Sequence, residues 1–311
     1  MVDILCAPPI LLIAWRRPSS TKLVLDQIRK AAPKRLYIAC DGPSVERPGE
    51  QDKVLAVREL IRASIDWPCE VITLYSDFNQ GCRVGVSSAI SWFFEHEEEG
   101  IILEDDCVPH PDFFVYCDEL LNRYRFNNQI WWICGTNSFN GVLPSEKSYH
   151  ISRYGHCWGW ATWRSRWSHY DRDLQSLHSF LTSHGFEALF SSRRQAQYWT
   201  RQLMRLRDHK YPDTWDYQWS YTCLVNGGLS VVPSSNLVTN IGFDQDATHT
   251  KTIYGNVRTQ STHSVMPLMH PDFLLPDPVR DLETFNTIYS VPLLRRVIYK
   301  LKRIISALSL G

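Results

Sequence analysis

Short apolar runs alternate with stretches of helical periodicity through the first part of the chain. Pro9–Ala14, Arg35–Cys40, Glu70–Tyr75 and Gly100–Leu103 read as strands, the last a short buried apolar run. Between them, helical patterns run from Ser19 or Ser20 to Ala32, from the loop after Gln51 to Ser64, and from Val84 to His96. Strands alternating with helices of this length predict a mostly parallel sheet with crossover helices. From Trp131 the rhythm changes. Trp131–Cys134 reads as a strand, Tyr149–Ser152 as a loop, 193–207 and 215–226 as helices, and Leu229–Val232 and Leu237–Ile241 as strands. The expected organisation is an α/β half over 1–130, a second half of the same domain over 131–255, and a C-terminal extension over 256–311.

Each predicted strand ends in a different polar group. The first runs into Trp15-Arg16-Arg17-Pro18, the second into Asp41-Gly42, the third into Asp77-Phe78-Asn79-Gln80-Gly81-Cys82-Arg83, and the fourth into Glu104-Asp105-Asp106. In an open α/β sheet the carboxyl ends of the strands share one edge, and ligands bind there. Taken singly, these groups are weak signals: a surface basic pair, an Asp-Gly turn, a capped loop, an acidic turn before the helix start Pro109-His110-Pro111-Asp112. Their coincidence on one edge carries more weight. Three adjacent carboxylates cost several kcal/mol to bury unpaired, so they are expected to face a cation. Hard oxygen ligands suit Mg²⁺ or Mn²⁺. Arginines before a helix start suit a phosphate.

Composition narrows the picture. Lys plus Arg and Asp plus Glu each number 33 in 311 residues, so the zero net charge argues against a general nucleic-acid binder. Twelve Trp and fourteen Tyr suit sugar stacking or a large aromatic core equally well. The nine Cys form no Cys-x-x-Cys pair, which argues against a zinc site and for reduced thiols in a cytoplasmic protein. No run is apolar enough to span a bilayer. The first residues, with acidic Asp3 and no basic segment, do not read as a signal peptide.

The run Leu103-Glu104-Asp105-Asp106 resembles the Asp-x-Asp metal motif of the GT-A class of nucleotide-sugar glycosyltransferases. Its setting, with Pro109, Asp112-Phe113-Phe114 and Tyr116, is similar to that in animal N-acetylglucosaminyltransferase I and bacterial family-two-like transferases. The resemblance is specific around 79–116 and loose from Pro9 to Thr250. It implies a GT-A, Rossmann-like sheet with a helical C-terminal elaboration, a UDP-sugar donor, and a glycan or lipid-linked acceptor. It further implies that Arg16 contacts the diphosphate and Asp41 reads the uracil. Asp106 would bind Mn²⁺ or Mg²⁺, while Glu104 and Asp105 contact sugar or ribose. Trp158-Gly159-Trp160 matches a segment near the donor sugar, and His249 a late metal ligand. Trp215-Asp216-Tyr217-Gln218-Trp219 resembles a segment whose acid is the catalytic base. Tyr217 replaces a second Asp there, so Asp216 is the candidate base and Asp213 the fallback. Asn79 and Arg83 complete the candidate donor-binding set.

Two other functions compete. A sugar-phosphate nucleotidyltransferase would carry a Gly-rich phosphate loop after the first strand, where Trp15-Arg16-Arg17-Pro18 has no glycine. A non-catalytic carbohydrate-binding protein would explain the tryptophans but not the acidic strand end. In the tail, Leu294, Val297, Ile298, Leu301, Ile305 and Leu308 share one helical face opposite Arg295, Arg296, Lys300, Lys302 and Arg303. That helix either lies on an anionic membrane surface, at the inner face of the membrane, or docks on the protein's own core.

Overall fold

A computed structural model describes residues 7–137, 146–242 and 261–289. Residues 294–308, where a basic tail helix is expected, and His249 lie outside the described residues. The first half is a strand–helix alternation: β1 (Ile10–Ala14), α1 (Pro18–Ala31), β2 (Arg35–Cys40), α2 (Glu50–Ser64), β3 (Glu70–Tyr75), a single π turn (Cys82–Val86), α3 (Ser87–His96) and β4 (Glu99–Glu104). Then come β5 (Cys107–Pro109), α4 (Pro111–Tyr124), β6 (Ile130–Cys134), β7 (Tyr149–Ser152) and β8 (Trp160–Trp163). Short helices α5 (Arg164–Trp167), α6 (Leu177–Thr182) and α7 (Gly185–Leu189) lead to the long α8 (Arg193–His209) and to α9 (Asp216–Val225). The described chain closes with β9 (Leu229–Pro233), β10 (Val238–Asn240), α10 (Pro278–Thr284) and a π turn over Phe285–Tyr289.

Eight strands form one sheet in the order β3-β2-β1-β4-β8-β6-β9-β7. The pairs β3–β2, β2–β1, β1–β4 and β6–β9 are parallel; β8 runs antiparallel to both β4 and β6, and β7 antiparallel to β9. The expected mostly parallel α/β sheet flanked by helices is therefore present, and strands from before and after residue 130 share it. Tyr149–Ser152 is a strand rather than a loop, because it finds β9 as an antiparallel partner. β8 is a further strand absent from the sequence reading.

Side-chain alternation explains why the strands read as unbroken apolar runs. Ile10, Leu12, Leu36, Ile38, Ile101 and Leu103 pack on α1, α2 and α4. Their neighbours Leu11, Tyr37, Ala39 and Ile102 face the opposite layer, built from α3, α5 and α9. Both faces of β1, β2 and β4 are covered, so both phases of these strands are apolar, whereas β3 at the edge of the sheet is largely exposed. α1 starts at Pro18 rather than at a serine: Pro at the first helical position lacks an N–H that would be orphaned there anyway. Ser20 and Thr21 instead donate their hydroxyls back to the carbonyl of Arg17.

The tryptophans settle into the second layer. Trp131, Trp132, Trp160, Trp167, Trp215 and Trp219 form one buried cluster, with ring centroids 5.1–6.3 Å apart. A buried aromatic of this size removes about 200 Å² from water, on the order of 5 kcal/mol each before entropy is counted. The aromatic excess is thus largely core. A third apolar cluster, around Leu177, Phe186, Trp199 and Leu206, joins α6, α7, α8 and α9 to Phe285. No helix among the described residues is long and apolar enough to cross a membrane. None of the eight described cysteines is in a disulfide.

Candidate functional site

The carboxyl ends of β1 to β4 open into a cleft of about 1400 Å³. It is walled on one side by the loops after these strands and on the other by α8, the start of α9 and Tyr289.

The acidic run forms its floor. Asp105 and Asp106 are buried, at 3 % and 8 % exposure. Arg17, one residue before α1, places Nη2 between them, bonded to Oδ1 of Asp105 and 2.8 Å from Oδ2 of Asp106. The backbone N–H of Trp15 donates to Oδ2 of Asp105 at 3.0 Å. Arg17 is the sole cation paired with this run among the described residues. Desolvation, then the like charges of Asp106 and Asp105, push the Glu104 carboxyl well above the ordinary carboxylate range. Asp105 is also raised by burial, with Arg17 acting against it. Three carboxylates against one guanidinium leave a deficit of positive charge.

The segment after the run is fixed from the far end of the chain. β5 pairs antiparallel with β10, matching Cys107 to Asn240. The Ile241 N–H donates to the Asp106 carbonyl at 2.9 Å, and Gly242 lies against the Asp106 side chain. The helix start foreseen at Pro109-His110-Pro111-Asp112 is present as well: His110 accepts the Asp112 N–H at 3.2 Å, and α4 begins at Pro111. Cap and acidic edge coexist because they occupy successive turns.

Asp41 organises the next two loops. Its carboxylate accepts from Asn79 Nδ2 at 2.9 Å and from the backbone N–H groups of Gln80 and Gly42 at 3.0 and 2.9 Å. Burial raises its pKa, and those N–H donors oppose the rise. Asp41 and Asn79 both line the cleft.

Across the cleft, Asp216 is the first residue of α9, and its carboxylate accepts the Thr214 hydroxyl. Its charge is felt at Glu104, so the two acids share one field. Asp213 also lines the cleft but serves as a cap: Oδ2 accepts the Cys82 N–H at 2.8 Å and Oδ1 the Arg83 N–H at 3.2 Å. Gly81, with φ of +78°, lets the chain turn over this carboxylate; a β-carbon there would sit 2.7 Å from Oδ2.

The structure brings Asp41, Asn79, Glu104, Asp105, Asp106, Trp158 and Asp216 together in the cleft. It places four candidates elsewhere. Arg16 turns away to Glu50, at 2.8 Å, with its guanidinium over the Trp15 ring. Arg17, which sequence reasoning did not assign, stands at the cleft instead. The Arg83 side chain pairs with Asp173. Trp160 is fully buried in the tryptophan cluster, and Gly159 packs on Val238.

A divalent ion fits the donor chemistry here, since the run offers hard oxygens and excess negative charge. Among the described residues, however, no group of three or more His, Cys, Asp or Glu converges into a ready metal cage. Asp106 with Glu104 are the residues that would hold the ion, and the remaining ligands would come from substrate and water.

No family model matches the chain, and no curated protein matches it. Among solved structures, it is similar to the inositol-1-phosphate CTP transferase from T. maritima, at 11% identity over 78% of this chain and 93% of that one, with a TM-score of 0.40. It is also similar to the glycosyltransferase GlyE of Streptococcus pneumoniae TIGR4, at 8% identity over 72% and 45%, TM-score 0.34. A UDP-glucose pyrophosphorylase complexed with UDP-glucose matches at 10% identity over 53% and 79%, TM-score 0.31. Similarity at this level decides nothing about this chain's chemistry.

Proposed function

We propose that the protein is a divalent-metal-dependent inverting glycosyltransferase, moving a sugar from a UDP-sugar to a hydroxyl of a glycan or lipid-linked acceptor. The observation that carries this reading is that Asp216 faces the Glu104-Asp105-Asp106 edge within one cleft. Direct displacement needs that polarity: a leaving group stabilised at one end and a base at the other.

In this reading the donor diphosphate lies over the acidic floor, with Asp41 and Asn79 toward the nucleoside. An ion held by Asp106 and Glu104 would supply Lewis-acid stabilisation of the departing diphosphate. Arg17 offers a guanidinium to the same oxygens. Asp216 accepts the proton of the acceptor hydroxyl as its oxygen bonds to the anomeric carbon and the bond from that carbon to the phosphate oxygen breaks. The Thr214 hydroxyl holds the carboxylate in place for this.

A sugar-phosphate nucleotidyltransferase is the competing reading. It fits less well because the turn after β1 is Trp15-Arg16-Arg17-Pro18, without the glycines of a phosphate-binding loop. The two reactions release different products. The test is a panel of UDP-sugars assayed for UDP release with Mn²⁺ and with EDTA, beside nucleoside triphosphates with sugar 1-phosphates assayed for pyrophosphate. Metal-dependent UDP release supports the proposal, and pyrophosphate release alone overturns it.

A further inference from the structure

The wall opposite the acidic floor is basic and aromatic. Residues 193–210 carry six Arg and Lys against the single acid Asp208, in a chain whose charges balance only when this segment is counted. Among the described residues only Arg207 of these six has a carboxylate partner, and that partner is Asp208. α8 buries one face, Gln195, Ala196, Trp199, Leu203 and Leu206. The adjacent stripe, Tyr198, Gln202 and Arg205 at helical spacing, lines the cleft.

The stripe continues past the helix end. Lys210 takes the left-handed conformation there, with φ of +51°, a position glycine usually fills. A lysine held there keeps a cationic side chain on the cleft wall. Arg205 lies 4.7 Å over the Tyr211 ring, which anchors its stem without neutralising its charge. Beside these cations stand Tyr198 and Tyr217, joined through their hydroxyls at 2.9 Å, with Tyr289 against Tyr198. Tyr217 follows the proposed base directly in sequence. Asp213, which also lines the cleft, already accepts two backbone N–H groups.

We infer that this wall is the acceptor side, and that it selects an acceptor bearing an anionic group, phosphate or carboxylate, near the reacting hydroxyl. The sugar ring rests against Tyr198 and Tyr217, and the anion is taken by Arg205 and Lys210. The inference rests on the proposed transfer reaction and adds to it. Cations here also offset the repulsion an anionic acceptor would meet from Asp216 and the acidic floor.

Matched probes separate the two sources of charge. For a carboxylate the pair is p-nitrophenyl β-glucuronide and p-nitrophenyl β-glucoside; for a phosphate monoester it is glucose 6-phosphate and glucose. Binding to the full chain is read by titration calorimetry, which requires no turnover. At least one charged probe is expected to bind roughly tenfold tighter than its neutral partner, the size of about one charge-assisted hydrogen bond. Arg205→Gln with Lys210→Gln should abolish that preference, and Arg205→Lys with Lys210→Arg should keep it, at an unchanged melting temperature. Equal affinity within both pairs, no binding of either charged probe, or a preference that survives the Gln pair overturns the inference. So does binding of anionic phosphatidylglycerol vesicles through the same residues in place of the soluble probes. Failure of every donor to release UDP would sink the transfer reaction while leaving this comparison readable.

Discussion

Gly242 lies so close to Asp106 that a β-carbon on it would sit 2.0 Å from the carboxylate Oδ2 and 2.8 Å from Nη1 of Arg17. Glycine at this place is what allows the chain leaving β10 to close over the acidic edge. Gly242→Ala should therefore push the Asp106 carboxylate out of position without disturbing the sheet. The expected result is a loss of about tenfold in Mn²⁺-dependent UDP affinity, about 1.4 kcal/mol, with the fold retained. Equal UDP affinity in parent and variant would show that Asp106 takes no part in donor binding.

Arg17 is the counter-charge of the acidic run. Removing one member of a buried ionic group strands the others, at a cost of about 3–5 kcal/mol when burial is complete. Arg17 keeps 22% side-chain exposure, which places Arg17→Gln near the lower end of that range. Adding Asp105→Asn to Arg17→Gln should restore part of the loss. Denaturant unfolding of the two single variants and the pair measures the coupling, and simple additivity would mean the contact contributes nothing.

Asp213 and Asp216 are three residues apart and should separate by readout. Asp213→Asn keeps only one acceptor for two N–H groups, so stability should fall by about 1 kcal/mol. Asp216→Asn should lower turnover by roughly two to four orders of magnitude while UDP affinity holds. If the large loss of turnover appears in Asp213→Asn instead, the base is Asp213.

His150 gives a pH signature away from the cleft. It is buried in β7, its Nδ1 has no hydrogen-bond partner among the described residues, and desolvation, helped by Arg280, lowers its pKa to about 3. Asp277 opposes that shift, and His156 adds to it. Above its ordinary value of 6.5 the imidazole is neutral whether the chain is folded or not. Between 6.5 and about 3 the unfolded chain binds a proton that the folded chain refuses, so stability falls as pH falls. At pH 5 the contribution is about 2 kcal/mol, at 1.36 kcal/mol per unit. Urea unfolding at pH 7 and pH 5 should show a smaller acid loss in His150→Phe than in the parent; identical losses would place the acid sensitivity elsewhere.

The edge of the sheet was legible in the sequence because β1, β2 and β4 are covered on both faces and pass abruptly from apolar to charged, while the exposed edge strand β3 keeps an apolar run of its own. What was not legible depended on partners far away in the chain. Arg16 and Arg17 are adjacent and chemically equal in sequence; Glu50 on α2 draws the first away, and the acidic run holds the second. Asp213 reads as a fallback base, and nothing near it in sequence shows that it accepts the N–H groups of Cys82 and Arg83, about 130 residues earlier. Trp160 reads equally as a sugar platform or a core residue, and only the packing of Trp132, Trp215 and Trp219 around it decides. β8 escaped notice because it is four residues long and its partners are set by the sheet rather than by any pattern of its own.

The position of β8 also sets an order of assembly. β4, which carries the acidic run, pairs on one side with β1 and on the other with β8, matching Glu99 to Trp163. During synthesis, the first half emerges with β4 as a raw, apolar sheet edge. It stays raw until residue 163 has left the ribosome, several seconds later at ordinary elongation rates of about 5–20 residues per second. Through that interval the segment richest in carboxylates is also the one adjoining the open edge. Charge at the end of an edge strand discourages pairing with a neighbouring chain. Glu104, Asp105 and Asp106 stand at the end of that edge, where their charge would oppose such pairing.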